Sequence, residues 1–563
     1  MRKIIKRDGR KVTFDDRKIY NAIYAAFVAS GRDEPAQAES ITDNVLAVVD
    51  SRFKGKTPTV ENIQDIIEEQ LIANNQADIA KCFILYRAER TRIREANTAL
   101  MKTLHDITFV DSINNDTKRE NANIDGDTAM GTMLKYGSEA AKEFYVNQVI
   151  NPVFAKAHKN GDIHIHDMDF YTLTLTCCQI DLNELFQGGF STGHGFLREP
   201  NSIRSYASLA CIAIQANQND MHGGQSSPAF DYAMAPGVRK SYVRNLRTNI
   251  IKLFSVFDVE LSKEDILSVF ELIKNQTGCE IRMGESKVHD ALVQYFSEHY
   301  PDLPSQRLIE KALKNALDET HDDTYQAMEA LIHNLNTMHS RAGAQVPFSS
   351  LNYGTDTSME GRMVIDCMLD ATARGLGNGE TPIFPIQIFK VKSGINYNSE
   401  DPSHDLLEKA IKVSGLRLFP NFSFLDAPYN IGYFKKGDYK SEVAYMGCRT
   451  RVMANIDKEH EVVTGRGNLS FTSINLPRIA LDNHSTEAFF TRLDEVMELV
   501  REQLLERFEI QARKKVYNFP FLMGQGVWID SNKLHYDDEI RPVMKHGTLS
   551  IGFIGLAETL VAL

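Results

Sequence analysis

No stretch of the 563 residues approaches the roughly 20 consecutive apolar positions needed to cross a bilayer. The opening, MRKIIKRDGRKVTF, turns polar too early for a secretory signal. A cytoplasmic location without a membrane partner is therefore the default expectation. Cysteine is scarce. The seven, Cys82, Cys177, Cys178, Cys211, Cys279, Cys367 and Cys448, are scattered, odd in number and never spaced CxxC. That excludes a disulfide framework and an ordinary zinc knuckle in this segment, so no metal ligand is assigned within it. Most of them are expected to be small buried hydrophobes. Positive charge is also in deficit: 63 Lys and Arg against 75 Asp and Glu leave −12. Such a surface argues against nucleic acid as a partner, although a local basic pocket can still hold a small nucleotide. What is present is ordinary for a globular protein, with 43% hydrophobic and 25% charged residues. The length suits a small module joined to a large core.

Residues 3 to 14 read as a short β-hairpin, with Asp8-Gly9 at the turn between Ile4, Ile5, Val12 and Phe14. Helical patterns follow. Ile63, Ile66, Ile67 and Leu71 form one apolar stripe, and a last helix carries Cys82, Phe83, Leu85 and Tyr86. A hairpin capped by a bundle of about four helices is predicted. Lys3, Lys6, Arg7, Arg10 and Lys11 surround the turn. A solvated basic hairpin would account for them, but a triphosphate would also use such cations together with turn amides. The order of Lys6, Arg7, Asp8, Gly9, Arg10, Phe14 and Lys18 resembles the ATP-cone, a regulatory domain that binds ATP or dATP. The resemblance covers about residues 1 to 95 and makes Lys6, Arg7, Gly9, Arg10, Lys11, Phe14 and Lys18 the expected nucleotide-binding set.

Residues 103 to 128 are polar and weakly periodic and read as a linker with a loop. Within it, Asn121 and Asn123 would point the same way in an extended segment and could bracket a polar ligand, or form an Asn-rich turn. Further on, GDIHIHDMDFYTLTLTCCQIDL places His164 and His166 on one side of a short strand, where a hydrogen-bonding role is favoured over a metal. An alternating strand is then predicted. Leu173, Leu175 and Cys177 would face one way and Thr174, Thr176 and Cys178 the other, so at most one of the adjacent cysteines enters a shared cavity. Two cysteines packed in a buried strand are the competing reading. In AYMGCRTRVMANI, Cys448 follows a glycine, which suggests a tight loop. A thiol on such a tip can enter a barrel, and hydrogen-atom transfer from a sugar needs that contact in a dry site. In GRGNLSFTSINLPRIAL a strand is expected to end at Pro477, with Asn468 near its start able to hold a small anion or a sugar hydroxyl.

HIHD at 164 to 167, HGG at 222 to 224, FP at 384 to 385, MGCRT around Cys448, NLPRIAL at 475 to 481 and SIGFIGLAETL at 550 to 560 occur in the order of the class III anaerobic ribonucleoside-triphosphate reductases. The likeness runs over nearly the whole chain. It implies an α/β fold: a helical ATP-cone over 1–95, a linker with an Asn-x-Asn flap over 96–135, and over 136–563 a ten-stranded α/β barrel with a central finger loop. By position, Cys448 would carry the transient thiyl radical and Cys177 would donate hydrogen. Asn468 would bind substrate or position formate, the reductant. Asn121, Asn123, His164 and His166 would contact the substrate, a ribonucleoside triphosphate. The family also implies a homodimer, dNTP effectors and control by ATP and dATP, through larger oligomers or otherwise. It implies a glycyl radical made by a radical-SAM activating enzyme, and a structural four-cysteine zinc site. The chain ends at Leu563 with neither the RVxGY-like radical segment nor that zinc site, so both are expected on a further segment.

Two other readings stand beside this one. Adjacent Cys177 and Cys178 suggest a relative of pyruvate formate-lyase, which leaves the ATP-cone, Cys448 and NLPRIAL unexplained. A nucleotide-sensing regulator with an inactive barrel is the non-enzymatic alternative.

Overall fold

The computed structural model describes residues 3–6, 10–109, 128–339, 345–447, 450–483 and 485–563, without the side chains of 94–99. The chain divides into two compact units, Met1–Asp106 and Ile107–Leu563. In the first, β1 (Lys3–Ile5) pairs antiparallel with β2 (Lys11–Thr13), Ile4 opposite Val12. Helices Arg17–Ala29, Pro35–Arg52 and Val60–Ala73 and the start of Ala77–Phe109 enclose a core that includes Ile23, Phe27, Val45 and Leu71. The predicted stripe Ile63, Ile66, Ile67 and Leu71 is buried as a whole. Thr59 and Asn62 form a capping box that starts this helix, and Ile5 donates its N–H to Pro58 O, which ties the hairpin to the bundle.

One boundary differs from expectation. The last helix runs through 103–109, where a linker is predicted, and Ile107 on it is buried. Leu104 and Ile107 are three apart, a helical spacing too short to register as a period among polar neighbours.

The strands of the second unit are β3 (Ile163–Ile165), β4 (Cys178–Gln179), β5 (Phe190–Ser191), β6 (Phe196–Leu197), β7 (Gln225–Ser227), β8 (Ser349–Tyr353), β9 (Ile386–Val391), β10 (Asn421–Phe424), β11 (Tyr445–Met446), β12 (Thr450–Arg451), β13 (Asn468–Asn475) and β14 (Thr548–Ile554). Five lie parallel in the order β10-β9-β8-β7-β4, linked by helical crossovers such as Ile203–Gln218 and Met359–Arg374. A second sheet runs β14-β13-β3, with β13 parallel to β14 and antiparallel to β3. The stretch ahead of β13 joins the two sheets: Thr176 N–H reaches Asn468 O at 3.0 Å, and Gln179 N–H reaches Arg466 O at 2.8 Å.

β8 and β9 are wholly buried, yet they carry Ser350, Asn352, Gln387 and Lys390 among their apolar residues. Alternate side chains of a strand face opposite ways. Leu351 and Tyr353 enter the helix-packed core, while Ser350 and Asn352 turn to the other face and line a polar interior. A buried polar lining costs free energy unless each group is paired, so such an interior is built to hold something polar.

Candidate active site

Cys177 and Cys178 occupy different surroundings. Cys178 is fully buried in the main core; burial, and then the neighbouring Cys177, push its thiol far above the ordinary value. Cys177 is partly exposed, and its Sγ accepts the Gly224 N–H at 3.2 Å. The predicted alternating strand does not produce this difference. Residues 168–170 form a 3-10 turn, Leu173 is 47% exposed, and strand geometry begins only at Cys178.

The cause lies far along the chain. Helix Thr486–Ala512 buries Gln503, Arg507 and Gln511, each four residues from the next and therefore on one face. Arg507 donates to the carbonyls of His166, Asp167 and Tyr171, and Gln511 to that of Thr174 at 2.9 Å. Backbone carbonyls held by side chains in this way are withdrawn from strand pairing.

Glycines bring the chain close around Cys177. A Cβ on Gly467 would lie 1.7 Å from Cys177 O, and one on Gly223 would lie 2.9 Å from its Sγ. A Cβ on Gly224 would come within 3.5 Å of Gly447 N. Gly447 ends the strand segment that enters the interior, and β11 pairs with β12 on either side of residues 447–449. The glycine that holds the Cys177 sulfur therefore faces the residue directly before Cys448 across no more than the space of one methyl group. Cys448 itself lies outside the described residues.

Asn468 is buried at the start of β13. Its backbone carbonyl takes the N–H groups of Thr176 and Cys177, and its side-chain oxygen accepts from the Thr548 hydroxyl. The strand ends at Asn475 and passes into helix Leu476–Asp482, with Pro477 in the first turn, where a missing N–H costs nothing.

Beside this region lies a cavity of about 1130 Å³, bordered by His158, His164, His166, Asp167, His222 and Lys142 among others. The His158 and His164 rings are 5.4 Å apart and those of His164 and His166 4.7 Å, with His166 Nε2 2.9 Å from Ser473 Oγ. His222 Nδ1 lies 2.5 Å from Thr174 Oγ1 and its Nε2 3.2 Å from Asp167. Burial alone would raise the Asp167 carboxyl; His222, and then Arg507, outweigh it and hold the group below the usual carboxylate range. Among the described residues no group of three His, Cys, Asp or Glu side chains could hold a metal ion.

His158 carries a pH dependence. Burial, then the charges of His164 and His166, lower it to about 4, against a hydrogen bond with the Ile163 backbone that favours the charged form. Unfolded, it protonates near 6.5. The unfolded state thus binds more protons between pH 6.5 and 4, and stability is lost as pH falls through that window. His158→Gln should flatten this loss, measured by urea unfolding at pH 7, 6 and 5. Equal slopes in both proteins would show that His158 does not carry it.

Of the residues singled out from sequence, Cys177 and Asn468 meet at one place, with His164 and His166 at the adjoining cavity. In the first unit Lys6, Arg10, Lys11 and Lys18 are exposed and Phe14 is partly buried. Arg7, Gly9, Asn121 and Asn123 lie, like Cys448, outside the described residues. Sequence reading did not single out His158 or Arg507, and it gave Gly224 only as the end of the HGG motif, without a role. For Arg507 a signal existed: Gln503, Arg507 and Gln511 continue the apolar stripe of Val496 and Val500. Polar residues on a buried helix stripe need partners.

No described helix is long and apolar enough to cross a membrane. The profile of the anaerobic ribonucleoside-triphosphate reductase family matches residues 120–563, and that of the ATP cone domain matches residues 2–92. The anaerobic ribonucleoside-triphosphate reductases of Haemophilus influenzae and Escherichia coli are each 28% identical to this chain over its whole length, which spans 70% of theirs. The fold matches that of the anaerobic ribonucleotide reductase of Thermotoga maritima, solved with dATP in its specificity site. The TM-score is 0.51 at 12% identity, over 84% of this chain and 68% of that one. The chain thus belongs to the anaerobic ribonucleoside-triphosphate reductases, a family of oxidoreductases, and carries an ATP cone.

Proposed function

We propose that the site around Cys177 is where a ribonucleoside triphosphate loses its 2′-hydroxyl, with Cys448 and Cys177 on either side of the ribose. The proximity of Gly224, which holds the Cys177 sulfur, to Gly447, which precedes Cys448, supports this reading: a Cβ on Gly224 would come within 3.5 Å of Gly447 N. A glycyl radical, made by a radical-SAM activating enzyme, would supply the oxidising equivalent that leaves Cys448 as a thiyl. Cys448 takes the 3′-hydrogen: one C–H bond breaks and one S–H bond forms. The 2′-hydroxyl leaves as water, and Cys177 gives a hydrogen atom to C2′ and is left as a thiyl beside a 3′-ketone. Formate returns a hydrogen atom to the Cys177 sulfur, its remaining electron together with a proton reduces the ketone as carbon dioxide leaves, and the 3′-hydrogen comes back from Cys448. The Gly224 N–H holds the Cys177 Sγ in place as its hydrogen atom departs.

Asn468 orients formate or a sugar hydroxyl, His164 and His166 contact the nucleotide in the adjoining cavity, and Asn121 and Asn123 close over it. The domains follow as an ATP-cone over 1–95, a flap-bearing connection over 96–135 and the catalytic barrel over 136–563. The assembly is a homodimer under ATP, dATP and dNTP control. Structural zinc is not assigned to any described residue.

The test is an anoxic assay of the activated reductase with labelled formate. One labelled carbon dioxide per deoxynucleotide is expected; turnover that continues without formate refutes this choice of reductant.

The first unit is read as the sensor of adenine nucleotides. Lys6→Ala combined with Arg10→Ala should weaken ATP and dATP binding at least about tenfold, since each contact to phosphate is charge-assisted. Calorimetry that finds unchanged affinity would move the nucleotide elsewhere.

A further inference from the structure

A peptide segment threaded into a barrel arrives with unpaired N–H and C=O groups, and the strands around it have already spent theirs on one another. Residues 442–447 solve this problem with side chains. Asn352, fully buried on β8, grips Tyr445 at both ends of its peptide groups. The carboxamide N–H donates to Tyr445 O at 2.8 Å, and the carboxamide oxygen accepts Tyr445 N–H at 2.8 Å. Ser226 on the neighbouring β7 donates to the same carbonyl at 2.9 Å. Two residues away on the same face of β8, Ser350 Oγ accepts the Gly447 N–H at 3.0 Å. At the root of the segment, buried Glu442 accepts from Thr355 Oγ1 at 2.7 Å and from buried Lys390 Nζ at 3.0 Å.

The three pairings share one register. Ser350 meets Gly447, Asn352 meets Tyr445 and, two residues beyond the end of β8, Thr355 meets Glu442, each step forwards matched by an equal step backwards along the segment. This is the register of an antiparallel strand pair, made by side chains in place of a backbone ladder.

We propose that Asn352, with Ser350 and Thr355, is a register rail that sets how far the segment reaches into the barrel, and so where the thiol of Cys448 stands over the sugar. The proposal rests on the reading of Cys448 as the radical-bearing cysteine. A slip of one residue would displace the segment by roughly 3.3 Å, more than hydrogen-atom transfer tolerates. Asn352 is a positioning residue in this scheme and does not touch substrate.

The test compares Asn352→Leu, of similar size but unable to grip, with the parent in the activated reductase. Glycyl radical content by electron paramagnetic resonance should be unchanged. The kcat should fall about a hundredfold, as for an ångström-scale misplacement of a reacting group, with KM within about twofold. The isotope effect from 3′-deuterated substrate should rise, because hydrogen abstraction becomes the slow step. A folded Asn352→Leu protein with parental kcat overturns the rail, as does a fall in kcat with no change in isotope effect. If Asn352→Leu does not fold, Ser350→Ala stands in for it, with a fall of about tenfold and the same isotope signature expected; no change there overturns the proposal equally. Cys448→Ala separates the two ideas. An active Cys448→Ala enzyme removes the radical assignment itself, whereas an inactive one beside an unaltered Asn352→Leu enzyme removes only the rail.

Discussion

Cys177→Ala and Cys448→Ala should each lower deoxynucleotide formation by more than about a thousandfold, the scale seen when a group acting directly on substrate is removed. Cys178→Ala should leave turnover near that of the parent. The contrast follows from the surroundings of the two adjacent sulfurs. Cys178 is fully buried among core side chains, and its replacement removes one sulfur from a packed interior, at a cost of about 1 kcal/mol. The Cys177 side chain lies outside that packing: its sulfur is held by the Gly224 N–H, and its backbone N–H is bound to Asn468 O. Both inactive variants should still bind nucleotide, because neither thiol is needed to hold a triphosphate. The reverse pattern, with Cys178→Ala inactive and Cys448→Ala active, would place the chemistry on the adjacent pair and favour acyl cleavage of the pyruvate formate-lyase kind. Activity retained in every variant would refute both.

Much of this site was legible because the family's motifs surround it, and less because of local pattern. The stripe Ile63, Ile66, Ile67 and Leu71 and the Asp8-Gly9 hairpin depend on near neighbours, and the helix and paired strands they predict are present. The stretch from Leu173 to Cys178 alternates as a strand should, but Arg507 holds the carbonyls just ahead of it and Gln511 that of Thr174 within it, both from more than three hundred positions further on. No local period can register a guanidinium that arrives from another helix. The same holds for Asn352, which reads as one polar residue in SSLNY until Tyr445 is laid against it. His158 differs again: it sits on a helix ahead of HIHD and joins the histidines only because the chain reverses at Gly161, in left-handed backbone. Polar residues at alternate positions of a buried strand were the available clue to a lined interior, and Ser350 and Asn352 carry it.

Gly467→Ala is expected to be the most damaging single methyl in the chain's second unit. At Gly415, inside helix His404–Arg417, an added Cβ meets nothing within 4 Å, and Gly415→Ala should stabilise that helix by up to about 1 kcal/mol. At Gly467 the new carbon would stand 1.7 Å from Cys177 O and 3.0 Å from Cys178 Cα, both backbone atoms without a rotamer to yield. Relief requires the strand segment of Cys177 and Cys178 to separate from that of Arg466 and Asn468, which stretches the Thr176-to-Asn468 and Gln179-to-Arg466 hydrogen bonds that join the two sheets. Overpacking of this kind costs about 1–3 kcal/mol, and the loss of buried hydrogen bonds adds to it. The effect on turnover should exceed the effect on stability. Cys177 moves away from the Gly224 N–H and from the ribose by an ångström or more, a displacement worth about a hundredfold in rate. Thermal unfolding and anoxic turnover of Gly467→Ala and Gly415→Ala, measured together, decide the matter. If Gly467→Ala melts and turns over like the parent, the two sheets do not meet at Cys177 and the site is not built as described.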